Sequence, residues 1–305
     1  MRRFTIATIV VALGAVAFAA WSLAAPSGSS HRSAATLKKP NLPALPSAVK
    51  SRGRWQIGVK CDYPPFGFID KNSKNAGYDV LVAKWFSKLA FSNTNRVDYT
   101  CVTTPSRIPT LQAGRVDIII STITWTKARA QQIDFSIPYY SATGRLLVPN
   151  NTGIRRLADL SGKTVTTTSG SVYDRWVRNC FKNTKLLVTT SPSSSVLAVA
   201  DGRADAFMFD DAFLLDVAAN NKNLRLMAVK FLKLPWGIGI RKGETDMKRW
   251  VDAAIRYMRS QDIFWKQIFR KIAPRTYFSS FKNNVPRPKS RIAYPTGPDA
   301  DTICP

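Results

Sequence analysis

The chain has 305 residues, 45 % of them hydrophobic, and carries 45 Lys and Arg against 19 Asp and Glu for a net charge of +26. That is ample apolar material for one large domain or two smaller ones. The charges are scattered singly rather than in basic runs or aromatic-interleaved stripes, which excludes nucleic acid as a partner and leaves acidic small molecules or an acidic membrane surface as what such a field attracts. At the N-terminus Arg2 and Arg3 precede an apolar run from Phe4 to Ala25, with Ala17-Phe18-Ala19 as a small-residue cleavage site. Residues 1–25 therefore read as a secretory signal, or as a membrane anchor if left uncleaved. No cysteine near the end of that run offers a lipid attachment point. Residues 26–50, rich in Ser, Pro and Ala, read as a flexible spacer.

From Trp55 onward short β-rich runs alternate with helical stretches. Strands are expected at Trp55–Cys61, Val97–Val102 and Val116–Thr122, with helices at Asp79–Phe91 and Arg107–Ala113 between them. A second set follows Leu146-Leu147-Val148: strands at Thr164–Thr168, Leu186–Thr190 and Asp205–Phe209, and helices at Val172–Phe181, Ser194–Ala200 and Ala212–Ala219. This alternation predicts two α/β lobes, each on a parallel sheet. A short strand at Gly237–Ile240 then precedes a long helix from about Asp246, with Met247, Trp250, Val251, Ala254 and Met258 on its buried face. Residues 276–305 contain five prolines and no clear periodicity. Cys61, Cys101, Cys180 and Cys304 have no C-x-x-C spacing and the single histidine, His31, lies in the spacer, so no metal site is expected. After export one disulfide is expected, with buried free thiols as the alternative, and the sequence does not choose among the three full pairings.

The stretch from Ser121 to Tyr140 is the most informative. The strand Asp117-Ile118-Ile119-Ile120 runs into alternating hydroxyls at Thr122, Thr124 and Thr126, with Arg129 one turn later. Hydroxyl and N–H donors at a strand end, backed by a planar guanidinium fork, suit a small carboxylate. The plainer alternative is a strand-to-helix connection with a threonine cap and a solvated arginine.

This stretch, with Asp134-Phe135-Ser136-Ile137-Pro138-Tyr139 at its end, resembles family 3 of the bacterial solute-binding proteins, the periplasmic receptors of ABC importers for polar amino acids. The resemblance runs from about Trp55 to Pro274. It recurs in order at Gly58 to Phe68, at Gly77-Tyr78-Asp79-Val80, at Leu111 to Asp117, at Leu157 to Lys163, at Ser169-Gly170-Ser171 and at Gly202 to Ala206. It implies a type II periplasmic-binding-protein fold, two parallel-sheet α/β lobes joined by a two-segment hinge at about Gly144–Asn150 and Trp236–Arg241. The first lobe is then discontinuous, residues 51–147 and 240–275, the second is 148–239, and 276–305 is an extension beyond the family body.

The resemblance also implies a site. Arg129 holds the α-carboxylate of an amino acid; Thr122, where many relatives have glycine, and Thr124 contact the ligand beside it. Ser169, Gly170 and Ser171 present a helix N-terminus from the second lobe, which favours an anion. Asp210 answers the ammonium, with Asp211 as a solvated neighbour or helix cap. Lys60, where many relatives carry an acidic residue, and Arg107, similar to a side-chain contact in dicarboxylate-selective members, favour glutamate or aspartate and repel basic ligands. Tyr63, Phe66 and Tyr173 are candidates to pack on the ligand's stem, although aromatics near core strands read first as packing residues. The expected protein is thus a monomeric periplasmic receptor without catalytic residues or cofactor, delivering an amino acid to an importer's membrane permease. The alternatives are a periplasmic dehydratase of the cyclohexadienyl or arogenate type on the same fold, and a tethered sensory domain. Against the enzyme stand a lone glutamate, Glu244, outside the cleft segments, and the remote His31.

Overall fold

The structure is a computed structural model that describes residues 40–305. The expected signal and most of the spacer lie outside the described residues. The spacer ends earlier than expected, because Ser47–Arg52 forms a helix whose Val49 is fully buried in the core and which Gly53 stops with a left-handed φ of 68°.

Two sheets organise the remainder. Across the first the strands run Val97–Val102, Trp55–Lys60, Ile118–Ile120, Gly239–Ile240 and Asp134–Phe135. The first three are mutually parallel, and Gly239–Ile240 joins antiparallel on both sides. Ile118, Ile119 and Ile120 are all buried because helices cover both faces of a parallel sheet, so a continuous apolar run fits there better than an alternating one. The helices Tyr78–Phe91 and Thr245–Ser260 cover one face, where Trp55, Phe86 and Trp250 meet in one aromatic cluster, and the helix Arg107–Gln112 covers the other, where its Leu111 packs with Ile119.

The second sheet runs Lys185–Thr189, Thr164–Thr168, Ala206–Asp210, Tyr140–Pro149 and Leu224–Leu226, with Phe231–Trp236 also paired to Tyr140–Pro149. Its first three strands are again parallel. The expected crossing at Gly144–Asn150 lies inside the ten-residue strand Tyr140–Pro149, which pairs with second-sheet strands from Tyr140 onward. The chain therefore passes between the sheets earlier, between Phe135 and Tyr140, and returns between Trp236 and Gly239. These two segments bond each other: the Ser136 and Tyr139 amides donate to the Ile238 and Trp236 carbonyls, both at 3.0 Å. Tyr140 stacks on Trp236 with ring centroids 4.6 Å apart, so the crossing is a packed aromatic core.

All four cysteines are paired, Cys61 with Cys101 and Cys180 with Cys304, so the free-thiol alternative does not hold. The first pair joins neighbouring parallel strands at their ends. The second closes a sequence separation of 124 and fastens the C-terminal extension to the helix Val172–Cys180. Among the described residues no helix is long and apolar enough to cross a membrane.

Candidate binding cleft

Ligands of open α/β sheets bind beyond the carboxyl ends of the strands. Here those ends face each other: Lys60, Val102 and Ile120 close first-sheet strands, Thr168 and Asp210 close second-sheet strands. Between them lies a small cavity, about 290 Å³ when the space open to solvent is counted with it. Its polar lining is Thr104, Arg107, Thr122, Thr124 and Arg129 from one lobe and Ser171 and Asp210 from the other, with Tyr63, Tyr173, Val172 and Phe209 as flatter walls.

Arg129 sits in the short helix Lys127–Gln132, whose Thr126 cap accepts the Arg129 amide at 3.2 Å. Its Nη1 donates to the Thr124 carbonyl at 2.7 Å and its Nη2 crosses the cleft to the Gly170 carbonyl at 2.9 Å. Carbonyls are neutral, so the charge itself is uncompensated. Burial, and after it the neighbouring Arg107, push the guanidinium down to about 9, against the pull of Asp301. Arg107 is 4 % exposed and donates to the Ser121 carbonyl at 2.7 Å; burial pushes it down to about 10, with Asp210 the main opposing charge.

Asp210 ends the strand Ala206–Asp210 and occupies the cap position of the helix Asp211–Asn220. Each carboxylate oxygen accepts one phenol: Oδ1 from Tyr173 at 2.7 Å, Oδ2 from Tyr63 at 2.9 Å. The Tyr63 bond bridges the lobes. Burial raises Asp210 to about 6, despite the phenols, which favour the ionised form. Tyr63 and Tyr173 therefore do more than pack. Their place beside the Pro64-Pro65 turn and Ser169-Gly170-Ser171 marks them as cleft aromatics in the sequence, but their hydroxyl bonds to Asp210 are set by the fold. Asp211, expected as a solvated neighbour or a helix cap, is neither: it is the buried first residue of the helix that Asp210 caps, and it accepts the Thr143 amide and hydroxyl at 3.2 and 2.7 Å and the Asn284 side chain at 3.3 Å.

Thr122 holds a left-handed φ of 51°, and its amide donates at 3.1 Å to the Tyr139 hydroxyl, which itself donates to the buried Asp79 at 3.0 Å. That relay fixes the loop between the Ile118–Ile120 strand and Arg129. Ser171 caps the helix Val172–Cys180 through the Asp174 amide at 3.2 Å and also faces the cavity, so cap and lining coincide. Ser169 and Gly170 stand back from the inner cavity; the Ser169 amide donates to Thr189, and the left-handed Gly170 offers its carbonyl to Arg129. Lys60 is fully buried but also outside the lining: its Nζ lies 2.9 Å from Asp62 and 3.2 Å from the Thr104 hydroxyl. Its charge is thus answered by Asp62, and it reaches the cavity only through Thr104. Among the described residues no group of His, Cys, Asp and Glu could hold a metal ion.

The profile of the bacterial extracellular solute-binding proteins, family 3, matches residues 55–272. The chain belongs to that family. With membership comes the two-lobed type II periplasmic-binding-protein fold that the two sheets display. An ABC transporter glutamine-binding protein of Bacillus subtilis is 30 % identical over 246 residues, 80 % of this chain and 88 % of that protein. An L-glutamate/L-aspartate-binding protein of Pseudomonas aeruginosa is 30 % identical over 219 residues, covering 68 % and 72 %. The crystal structure of a cysteine-binding protein from Campylobacter jejuni superposes with a TM-score of 0.71 at 27 % identity, covering 75 % of this chain and 94 % of that one. The chain is accordingly a solute-binding protein, and the residues lining its cleft bear on which solute it takes.

Proposed function

We propose that the chain captures an acidic amino acid, glutamate or aspartate, in the inner cavity outside the cytoplasm and delivers it to the membrane permease of an ABC importer. The observation that carries this is the charge lining the cavity: two guanidiniums, Arg107 and Arg129, against one carboxylate, Asp210, with none of the three in an ion pair across it. A neutral zwitterion leaves one positive charge unanswered. An acidic amino acid brings two carboxylates and one ammonium and answers all three. In this reading Arg129 takes the α-carboxylate with Thr122, Thr124 and Ser171, Asp210 takes the ammonium, and Arg107 takes the distal carboxylate. Lys60, whose charge Asp62 answers, stays outside the contact with the ligand. Binding favours the closed cleft by its greater affinity for it, and the closed form is what the permease receives. Relatives named for glutamine, for glutamate and aspartate, and for cystine fit a shared amino-acid frame with a variable side-chain end.

Asp210 near 6 also falls in the range of a general acid, which favours a dehydratase as second reading. Incubation with prephenate or arogenate decides between them. Substrate loss at the spontaneous rate supports the receptor; a rate that saturates with substrate and vanishes in Asp210→Asn makes the chain an enzyme.

A further inference from the structure

The C-terminal extension returns across the molecule and touches both lobes. Phe281 and Val285 join the core, and Arg287 pairs with Asp262 at 2.9 Å while lying over the Trp265 ring at 4.9 Å. Further along, Tyr294 stacks on Trp125 with centroids 5.2 Å apart and donates to the Ser136 carbonyl. Asp299 then accepts the backbone amides of Lys127 at 2.7 Å and Ala128 at 3.4 Å, at the start of the very helix that carries Arg129. Two residues on, Asp301 is fully buried and pairs with Arg175 at 2.8 Å. Asn179 and Trp176 donate to the carbonyls of Asp301 and Ile303 at 3.2 and 2.8 Å, and Cys304 is bonded to Cys180. Arg175, Trp176, Asn179 and Cys180 all belong to the second-lobe helix whose cap, Ser171, lines the cavity.

Within six residues the chain thus passes from the first-lobe helix that carries Arg129 to the second-lobe helix that begins at the ligand cavity. Asp301 lines an outer cavity together with Arg129, Arg175 and Gly170, and this outer cavity shares Arg107 and Arg129 with the inner one. Asp301 is the point at which the segment reaches this outer cavity between the lobes. We infer that residues 299–304 form a latch between the lobes, in which Asp299 is a positioning residue for the Arg129 helix and the Cys180–Cys304 bond fixes the other end. Five peptide steps span at most roughly 17 Å, so with both ends fastened the helices separate only that far. Wider opening, and with it ligand exchange, requires Asp299 to release the Lys127 and Ala128 amides. The exchange part rests on the cleft being the ligand site, as proposed above; the restraint on opening does not.

The test uses the full exported chain with Asp299→Ala, Asp299→Asn and the double change Cys180→Ser with Cys304→Ser, each checked for native circular dichroism. Small-angle scattering of the ligand-free proteins reads opening, and stopped-flow tryptophan fluorescence reads glutamate dissociation. The ligand-free wild type is expected to scatter as the compact closed form, whereas Asp299→Ala and the disulfide-free protein are expected to show a larger radius of gyration. Glutamate is expected to leave Asp299→Ala about tenfold faster, as the loss of one charge-assisted contact allows, and to leave the disulfide-free protein faster than wild type because the latch is freed at its other end. Asp299→Asn keeps an acceptor for the helix amides and is expected to fall near wild type. Unchanged scattering in both folded variants overturns the latch. If glutamate binds none of the proteins, the proposed ligand fails and scattering alone still decides the latch; if the disulfide-free protein does not fold, Asp299→Ala decides it.

Discussion

The two sides of the inner cavity are prepared differently for a ligand. On the first-lobe side Arg107 and Arg129 each bond to backbone carbonyls, which orient the guanidiniums but leave their charge standing. On the second-lobe side Asp210 receives a phenol on each oxygen, so its carboxylate is oriented and partly satisfied before any ligand arrives. Both sides are strained by burial in the same sense: the cations fall to about 10 and 9, the carboxylate rises to about 6. The difference is that removing the ligand leaves the arginines with nothing ionic, while Asp210 keeps two donors. The cationic side should therefore dominate affinity and the anionic side should carry the pH dependence.

The sharpest way to break that comparison is to remove each side in turn. Arg129→Ala should abolish measurable binding, since stranding a buried ligand carboxylate costs about 3–5 kcal/mol, on the order of a hundredfold to several thousandfold in affinity. Asp210→Ala should also weaken binding strongly, by isothermal titration calorimetry, but less than Arg129→Ala, because the phenols of Tyr63 and Tyr173 remain to face the ammonium. An equal or larger loss at Asp210 would reverse the assignment of the dominant side.

A second test concerns what Asp210 costs the empty protein. Its carboxyl is raised from 3.8 to about 6, so between those values the folded chain holds a proton that the unfolded chain has released. Stability from this group is fully present below about pH 4, is lost as pH rises through 6, and amounts to about 3 kcal/mol. Thermal melts of wild type and Asp210→Asn without ligand should therefore converge near pH 4 and separate in favour of the variant by pH 7. A constant gap across that range contradicts the buried carboxylate. In the wild type, ligand affinity should fall about tenfold per unit once pH drops below 6, as the ammonium loses its partner.

Smaller effects sharpen the two cations. Arg107→Gln should narrow the preference for glutamate over glutamine by about 1.5–3 kcal/mol, the value of a charge-assisted contact. Lys60→Met should change that preference by less than Arg107→Gln, because Asp62 already neutralises Lys60; competition binding of the two ligands reads both. Smallest of all, Tyr63→Phe should weaken binding by about 1 kcal/mol and move the acid limb of the pH profile upward, since the phenol favours ionised Asp210.

Much of this was legible in the sequence where the information is local. The strands at Val97–Val102 and Thr164–Thr168 and the helix beginning at Val172 fall where periodicity puts them, because alternation and a serine cap act over a few residues. The strand Phe231–Trp236 escaped, since Pro235 and Lys233 break its β pattern and its pairing lies with Tyr140–Gly144, about ninety residues away. The same distance hid the extension: Asp299 meets Lys127 across 172 positions, and five prolines there carry no period. In the site, residue types were readable but directions were not. Asp211 turns to Thr143, and Tyr63 and Tyr173 to Asp210, and each orientation is set by tertiary packing rather than by spacing.

In the proposed reading, one unanswered positive charge in the cavity selects an acidic amino acid. Calorimetric titration of the mature protein with all twenty amino acids at pH 7 and moderate salt tests it directly. Glutamate or aspartate should bind at least about tenfold more tightly than glutamine or asparagine, in line with one charge-assisted contact to Arg107. Equal affinity for glutamine, or preference for arginine or lysine, would contradict it.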